Sequence, residues 1–131
     1  MDTGQLEPIA RRHGIDLIVQ FGSTVTGRTH PRSDCDLGVL FRHTPDSLGL
    51  LAEVVADLKV VSPGRDIDVG VLNDADPLFL KQVMEHGRLL YGSERCFQAL
   101  QLLAFKRYQD HRRYLSLERP YVERQIAAFR S

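Results

Sequence analysis

The sequence has no excess of charge of either sign: 17 Lys and Arg balance 17 Asp and Glu. A general nucleic-acid binder carries a basic surplus, so direct nucleic-acid binding is not expected. Cysteine is scarce. Cys35 and Cys96 are too few for a disulfide framework and show no metal-ligand spacing. No apolar run reaches the roughly 20 residues that span a bilayer. The opening residues, MDTGQLEP, do not read as a secretory leader. Internal repeats and low-complexity tracts are missing too. These absences point to a cytoplasmic protein with no membrane partner. What is present is one domain's worth of chain: 131 residues, 43% of them hydrophobic, enough for one packed core.

The informative stretch is residues 21–40, FGSTVTGRTHPRSDCDLGVL. Gly22 and Ser23 follow an apolar run, IDLIVQF; ten residues later come Asp34 and Asp36, followed by LGVLF. The pattern reads as strand, tight turn, short helix, loop, strand. Gly22 allows backbone angles closed to other residues and leaves room for a ligand near the main chain. Ser23 stands where a helix would start, with a hydroxyl and unpaired N–H groups nearby. Such a turn is a ready phosphate site. Asp34 and Asp36 alternate along a strand, so both leave the same face. Paired carboxylates repel unless a cation sits between them, and hard oxygen donors suit Mg²⁺ shared with substrate phosphate oxygens. A phosphate anchor beside a metal pair implies a nucleoside triphosphate and chemistry at phosphorus. Arg28 and Arg32 lie in the loop between the two motifs. Either could meet triphosphate oxygens or simply face water; Arg28, next to Gly27, is the better candidate. Cys35, between the aspartates, points to the opposite face as a buried structural thiol.

The Gly-Ser pair, ten residues, then Asp-x-Asp resembles the nucleotidyltransferase signature of the DNA polymerase beta superfamily. Gly27, Ser33 and Leu37 also fit it. At this size the chain is similar to the minimal nucleotidyltransferase antitoxins encoded beside HEPN-domain toxins. The resemblance runs from about residue 15 to residue 93. It implies a nucleotidyltransferase fold of the α/β (α+β) class: a small mixed sheet with flanking helices and a C-terminal helical tail. It also implies a third carboxylate on the strand beside the metal pair. In Arg65–Leu72, RDIDVGVL, that residue is Asp68, with Asp66 the runner-up. The implied activity is Mg²⁺-dependent transfer of AMP from ATP to a hydroxyl, with a tyrosine of a partner HEPN toxin as acceptor. Two other readings stand beside it. One is an antitoxin that neutralises its partner by binding alone; the other is a small-molecule nucleotidyltransferase acting on an antibiotic.

The rest of the chain fits one domain, with a core over residues 15–93 and C-terminal helices over 93–131. A short helix is expected over 6–13, stopped by Gly14, with Arg11, Arg12 and His13 facing solvent. Strands are expected over 16–21, 34–41 and 65–72, the first buried on both faces. The short helix between the two motifs spans 23–29. Asp46 or Ser47 caps a helix to about residue 60, with Leu48, Leu51, Val54, Val55 and Leu58 as its apolar stripe. Pro77 opens a helix that ends near His86 and Gly87. Residues 88–91 read as an edge strand, although Arg88 or Tyr91 could touch nucleotide. Ser93 caps a long helix to about residue 117. Pro120 then breaks the chain before a last amphipathic helix over 121–129, a solvated face or a docking tail.

Overall fold

The run IDLIVQF forms β1 (Ile15–Phe21), and Leu17, Ile18 and Val19 along it are fully buried. A strand with three successive buried side chains must be covered on both faces. The computed structural model of the chain, which describes residues 3–22 and 35–130, shows how. The expected short helix at 23–29 lies outside the described residues, as do Ser23, Arg28 and Asp34. Side chains of the final helix are described continuously only to Leu117.

Four strands form one sheet in the order β3-β2-β1-β4: β2 (Cys35–Phe41), β3 (Ile67–Val71) and β4 (Arg88–Tyr91) join β1. β1 runs antiparallel to β2 and β4, whereas β2 and β3 are parallel. Parallel neighbours need a crossover. Helix α2 (Leu48–Val60) supplies it, capped by Ser47, whose hydroxyl accepts from the Leu50 N–H at 3.2 Å. Val54 and Leu58 of α2 pack with Leu6, Ile9 and Ala10 of α1 (Leu6–His13) on one sheet face. They meet Ile18, Cys35, Leu37, Val39 and Ile67 there. The register slips between Ile15 and Leu17, which brings Ile15 to the same face as Ile18. The other face carries Leu17, Val19 and Leu72. It is covered by Leu80, Val83 and Met84 of α3 (Pro77–His86), and by Phe97, Leu100 and Ala104 of α4 (Glu94–Arg130). Asp76 caps α3, and the Ser93 hydroxyl accepts from the Cys96 N–H at 3.0 Å as α4 begins.

Three expectations need correction. Leu48 belongs to no buried stripe: it is 84% exposed, at the first residue of α2, where the buried residues of that helix are Val54 and Leu58. His13 does not face solvent. Its side chain is 5% exposed, and its ring bonds Asp57 Oδ2 at 2.7 Å, with Arg12 joining the same oxygen at 3.3 Å. The carboxylate on α2 gives the imidazole a partner, which is what lets it be covered. The hydrogen bond from His13 holds the Asp57 carboxyl below its ordinary range, with Arg12 adding to the effect. Finally, the C-terminal region is one helix of 37 residues, not two separated at Pro120. Proline removes one N–H and crowds the preceding turn, which disfavours a helix without forcing it to end. At about 1.5 Å per residue α4 is roughly 55 Å long, far longer than the sheet it covers.

Candidate active site

The strand alternation that buries Cys35, Leu37 and Val39 on the α1/α2 face sends Asp36 and Gly38 to the α3/α4 face. In β3, Ile67 is buried on the first face, so Asp68 and Gly70 share the second with Asp36. The parallel register pairs Asp36 with Asp68 and Gly38 with Gly70. Neighbouring strands lie about 4.8 Å apart, so the two carboxylates leave one face side by side at the mouth of the sheet. Asp36 is half-buried and Asp68 exposed. Asp66 is not level with them. It precedes β3, and its carbonyl accepts from the Cys35 N–H at 2.7 Å.

Gly22 closes the group from the other side. Phe21 pairs with Asp36 across the β1–β2 ladder, and Gly22 follows with φ 84°, in the left-handed region. A Cβ at residue 22 would overlap Asp36 Oδ2 and stand 3.1 Å from its Cγ. The Gly22 backbone therefore lies against the Asp36 carboxylate. Of the residues singled out from sequence, Gly22, Asp36 and Asp68 come together here.

Beneath the carboxylates the two strands share a spacing, Asp36-Leu37-Gly38 and Asp68-Val69-Gly70. A Cβ on Gly38 would come within 2.9 Å of Leu72, and one on Gly70 within 3.0 Å of the Phe79 ring. The glycines leave room for these side chains to form a floor. Phe79 meets Phe21 edge to face, with centroids 5.6 Å apart at 81°. Asp76 Oδ1 accepts from the Leu78 and Phe79 N–H groups at 2.9 and 3.3 Å, which fixes the first turn of α3 over the sheet. No single stretch of sequence contains this floor. The repeated D-x-G spacing was the signal available for it.

The donor set fits a hard divalent cation: adjacent carboxylate oxygens, at a strand mouth, with one of them open to solvent. Among the described residues no three His, Cys, Asp or Glu side chains gather to hold a metal. Asp36 and Asp68 therefore supply two donors. On the opposite face, burial pushes the Cys35 thiol up, with the negative charge of Asp36 adding and Arg65 opposing. Cys35 is 1% exposed, a structural thiol as expected. Arg88 is exposed on the edge strand β4. No helix among the described residues is long and apolar enough to cross a membrane.

Comparison with known proteins finds relatives of the whole fold. The protein adenylyltransferase MntA of Shewanella oneidensis is 29% identical over 97 residues, 72% of this chain and 67% of that protein. A chain of a toxin–antitoxin crystal structure with AMP-PNP superposes with a TM-score of 0.74 at 24% identity, over 97% of this chain and 99% of that one. A chain of the complex between tri-AMPylated Shewanella oneidensis HEPN toxin and MNT antitoxin gives 0.67 at 22% identity, over 96% of each. These structural likenesses show a shared fold. The model of the polymerase beta nucleotidyltransferase family matches residues 4–95. A match over that much of the chain, with the sheet and strand-mouth carboxylates described above, shows that the chain belongs to the polymerase beta nucleotidyltransferase family.

Proposed function

We propose that this protein is a cytoplasmic, Mg²⁺-dependent protein adenylyltransferase that moves AMP from ATP onto a tyrosine hydroxyl of a HEPN-domain toxin and so acts as its antitoxin. The pairing of Asp36 with Asp68 beside the Gly22 turn carries this reading. The relatives support the acceptor class: one is a protein adenylyltransferase, and another sits in a complex with an AMPylated HEPN toxin.

In this reading the N–H groups after Gly22, with Ser23 and Arg28, hold the triphosphate oxygens. Asp34, Asp36 and Asp68 would hold the metal. Mg²⁺, when bound, supplies charge neutralisation at the phosphates and makes the acceptor hydroxyl more acidic. Asp68, on the open side of the pair, takes the hydroxyl proton. The hydroxyl oxygen attacks the α-phosphorus, the bond to the bridging oxygen breaks, and pyrophosphate leaves with the electron pair. Positioning and charge account for most of the rate in such transfers.

The test is incubation of the protein with ATP labelled at the α-phosphate and Mg²⁺, with and without the product of the neighbouring gene. Label on a tyrosine of that product, and a HEPN-type sequence in it, supports the reading. A tight complex that acquires no label would make the protein a binding antitoxin instead. Label on an added aminoglycoside, and none on protein, would make it a small-molecule enzyme.

A further inference from the structure

β3 is an outer strand of the sheet, and it is the strand that carries Asp68. Two bonds fix which way its main-chain groups point. The Asp66 carbonyl accepts from the Cys35 N–H at 2.7 Å, and the Leu72 N–H donates to the Val39 carbonyl at 2.9 Å. Main-chain groups alternate sides along a strand, so Asp66, Asp68, Gly70 and Leu72 turn toward β2. Ile67, Val69 and Val71 turn their N–H and C=O groups outward, and among the described residues no main-chain partner meets them. Native sheets blunt such an edge with lysine, proline or a bulge. Ile67–Val71, IDVGV, has none of these, and its register with β2 runs without a shift. The other outer strand, β4, is managed differently. It has four residues, opens on Arg88 and shifts register against β1. Thr3, Gly4 and Glu7 stand beside it around a common cavity.

We propose that the β3 edge docks the acceptor protein: an extended segment of the acceptor adds to the sheet as one more strand and brings its tyrosine to Asp68. This rests on the adenylyltransferase reading above and names how that reading's acceptor is held. Across the sheet the order is Asp68, Asp36, then Phe21 and Gly22. With the triphosphate on the Gly22 turn, pyrophosphate leaves on the β1 side. In-line displacement puts the attacking hydroxyl opposite it, on the β3 side. Strand addition takes its affinity from the main chain, while alternate side chains of the added segment reach the site. The residue level with Asp68 leaves the same sheet face as both carboxylates. It stands about 4.8 Å from Asp68 and roughly 10 Å from Asp36, one and two strand spacings. A tyrosine ring laid across Asp68 spans that gap, and a serine hydroxyl stops short. A second copy of this chain fits the edge less well. Pairing β3 with β3 would set Asp36 and Asp68 of both copies in one row, and like charges at strand spacing are destabilising.

The experiment is site-resolved amide hydrogen exchange on the full chain by NMR. It is run free and with the product of the neighbouring gene, in Mg²⁺ and an ATP analogue whose α–β bridge cannot be cleaved. In the free chain the Val69 and Val71 N–H groups should exchange fast, and those of Asp68 and Gly70 slowly. With the acceptor bound, Val69 and Val71 should gain roughly tenfold protection or more, the scale of a new hydrogen bond. Val71→Pro removes one outward N–H and leaves the bonds to β2 in place. It should raise the KM for the acceptor by up to roughly tenfold, with kcat and ATP binding at wild-type values. That is the pattern of lost docking. A fall in kcat at unchanged KM would place the effect on the carboxylates and contradict it. If Val71→Pro does not fold, exchange in wild type decides alone. If the product is labelled by ATP while Val69 and Val71 exchange alike with and without it, this proposal fails and the adenylyltransferase reading stands. Protection in the free chain that grows with its own concentration would make the edge a self-association surface and overturn the proposal. If wild type labels no protein, the reading itself fails, and the docking assignment with it.

Discussion

Replacing Gly22 with alanine separates backbone strain from site geometry, because Gly14 provides a matched control. Both glycines are left-handed, at φ 84° and 65°. A Cβ residue in that region costs about 1–2 kcal/mol. At Gly14 a Cβ would meet nothing within 4 Å, whereas at Gly22 it would overlap the Asp36 carboxylate. That carboxylate is the end of a side chain and can rotate away, so the overlap adds little to the stability cost. Both variants should therefore lose about 1–2 kcal/mol and melt several degrees lower. They should differ in activity. A displacement of about 1 Å at a reacting centre costs roughly a hundredfold in rate. Gly22→Ala should lose about that factor in AMP transfer from α-labelled ATP, assayed well below its melting temperature. Gly14→Ala should transfer at the wild-type rate. Equal rates in both variants, with both folded, would refute the claim that the Gly22 turn and Asp36 form one site.

Leu58 is fully buried between α2 and the sheet. Leu58→Ala should cost about 2–5 kcal/mol in denaturant unfolding, and a loss under 1 kcal/mol would contradict the packing described. Ser23→Ala should weaken ATP binding by calorimetry only partly, since main-chain N–H groups remain at the turn. Complete loss would assign the anchor to the hydroxyl alone. Asp57 has a folded-state pKa below its unfolded value, so its contribution is present above the ordinary carboxylate range, near pH 3.9, and fades as pH falls through the folded value. Melting curves of wild type and Asp57→Asn should be well separated at neutral pH and converge in acid; a gap constant down to pH 2 would contradict this.

Most of the element order could be read from local signals. Gly14, Ser47, Asp76, Pro77 and Ser93 stand at helix ends because their backbone angles or side chains suit those positions. The buried run of β1 announced a central strand. Errors arose where a distant partner decides. Asp57 lies 44 residues from His13, and no local pattern links a histidine on one helix to a carboxylate on another. Pro120 is a breaker by propensity, yet propensity is a weak prior in a long helix. At the site, the residue types were legible and the pairing was not. Asp66 and Asp68 have the same parity along the chain, and only the strand register brings Asp68 level with Asp36. The floor of Phe21, Phe79, Gly38 and Gly70 draws on three strands and a helix, so no window of sequence contains it.

The most direct measurement is a double-mutant cycle on Asp36 and Asp68, reading Mg²⁺-dependent AMP transfer from ATP with folding verified by circular dichroism. Groups that hold one site act as a unit, so their losses do not add. Asp36→Asn and Asp68→Asn should each reduce transfer by about a thousandfold or more, at or beyond the loss of a single charge-stabilising group. The double variant should be no worse than either. A folded single variant that keeps wild-type turnover, or losses that multiply in the double, would show that the two aspartates do not share one catalytic centre.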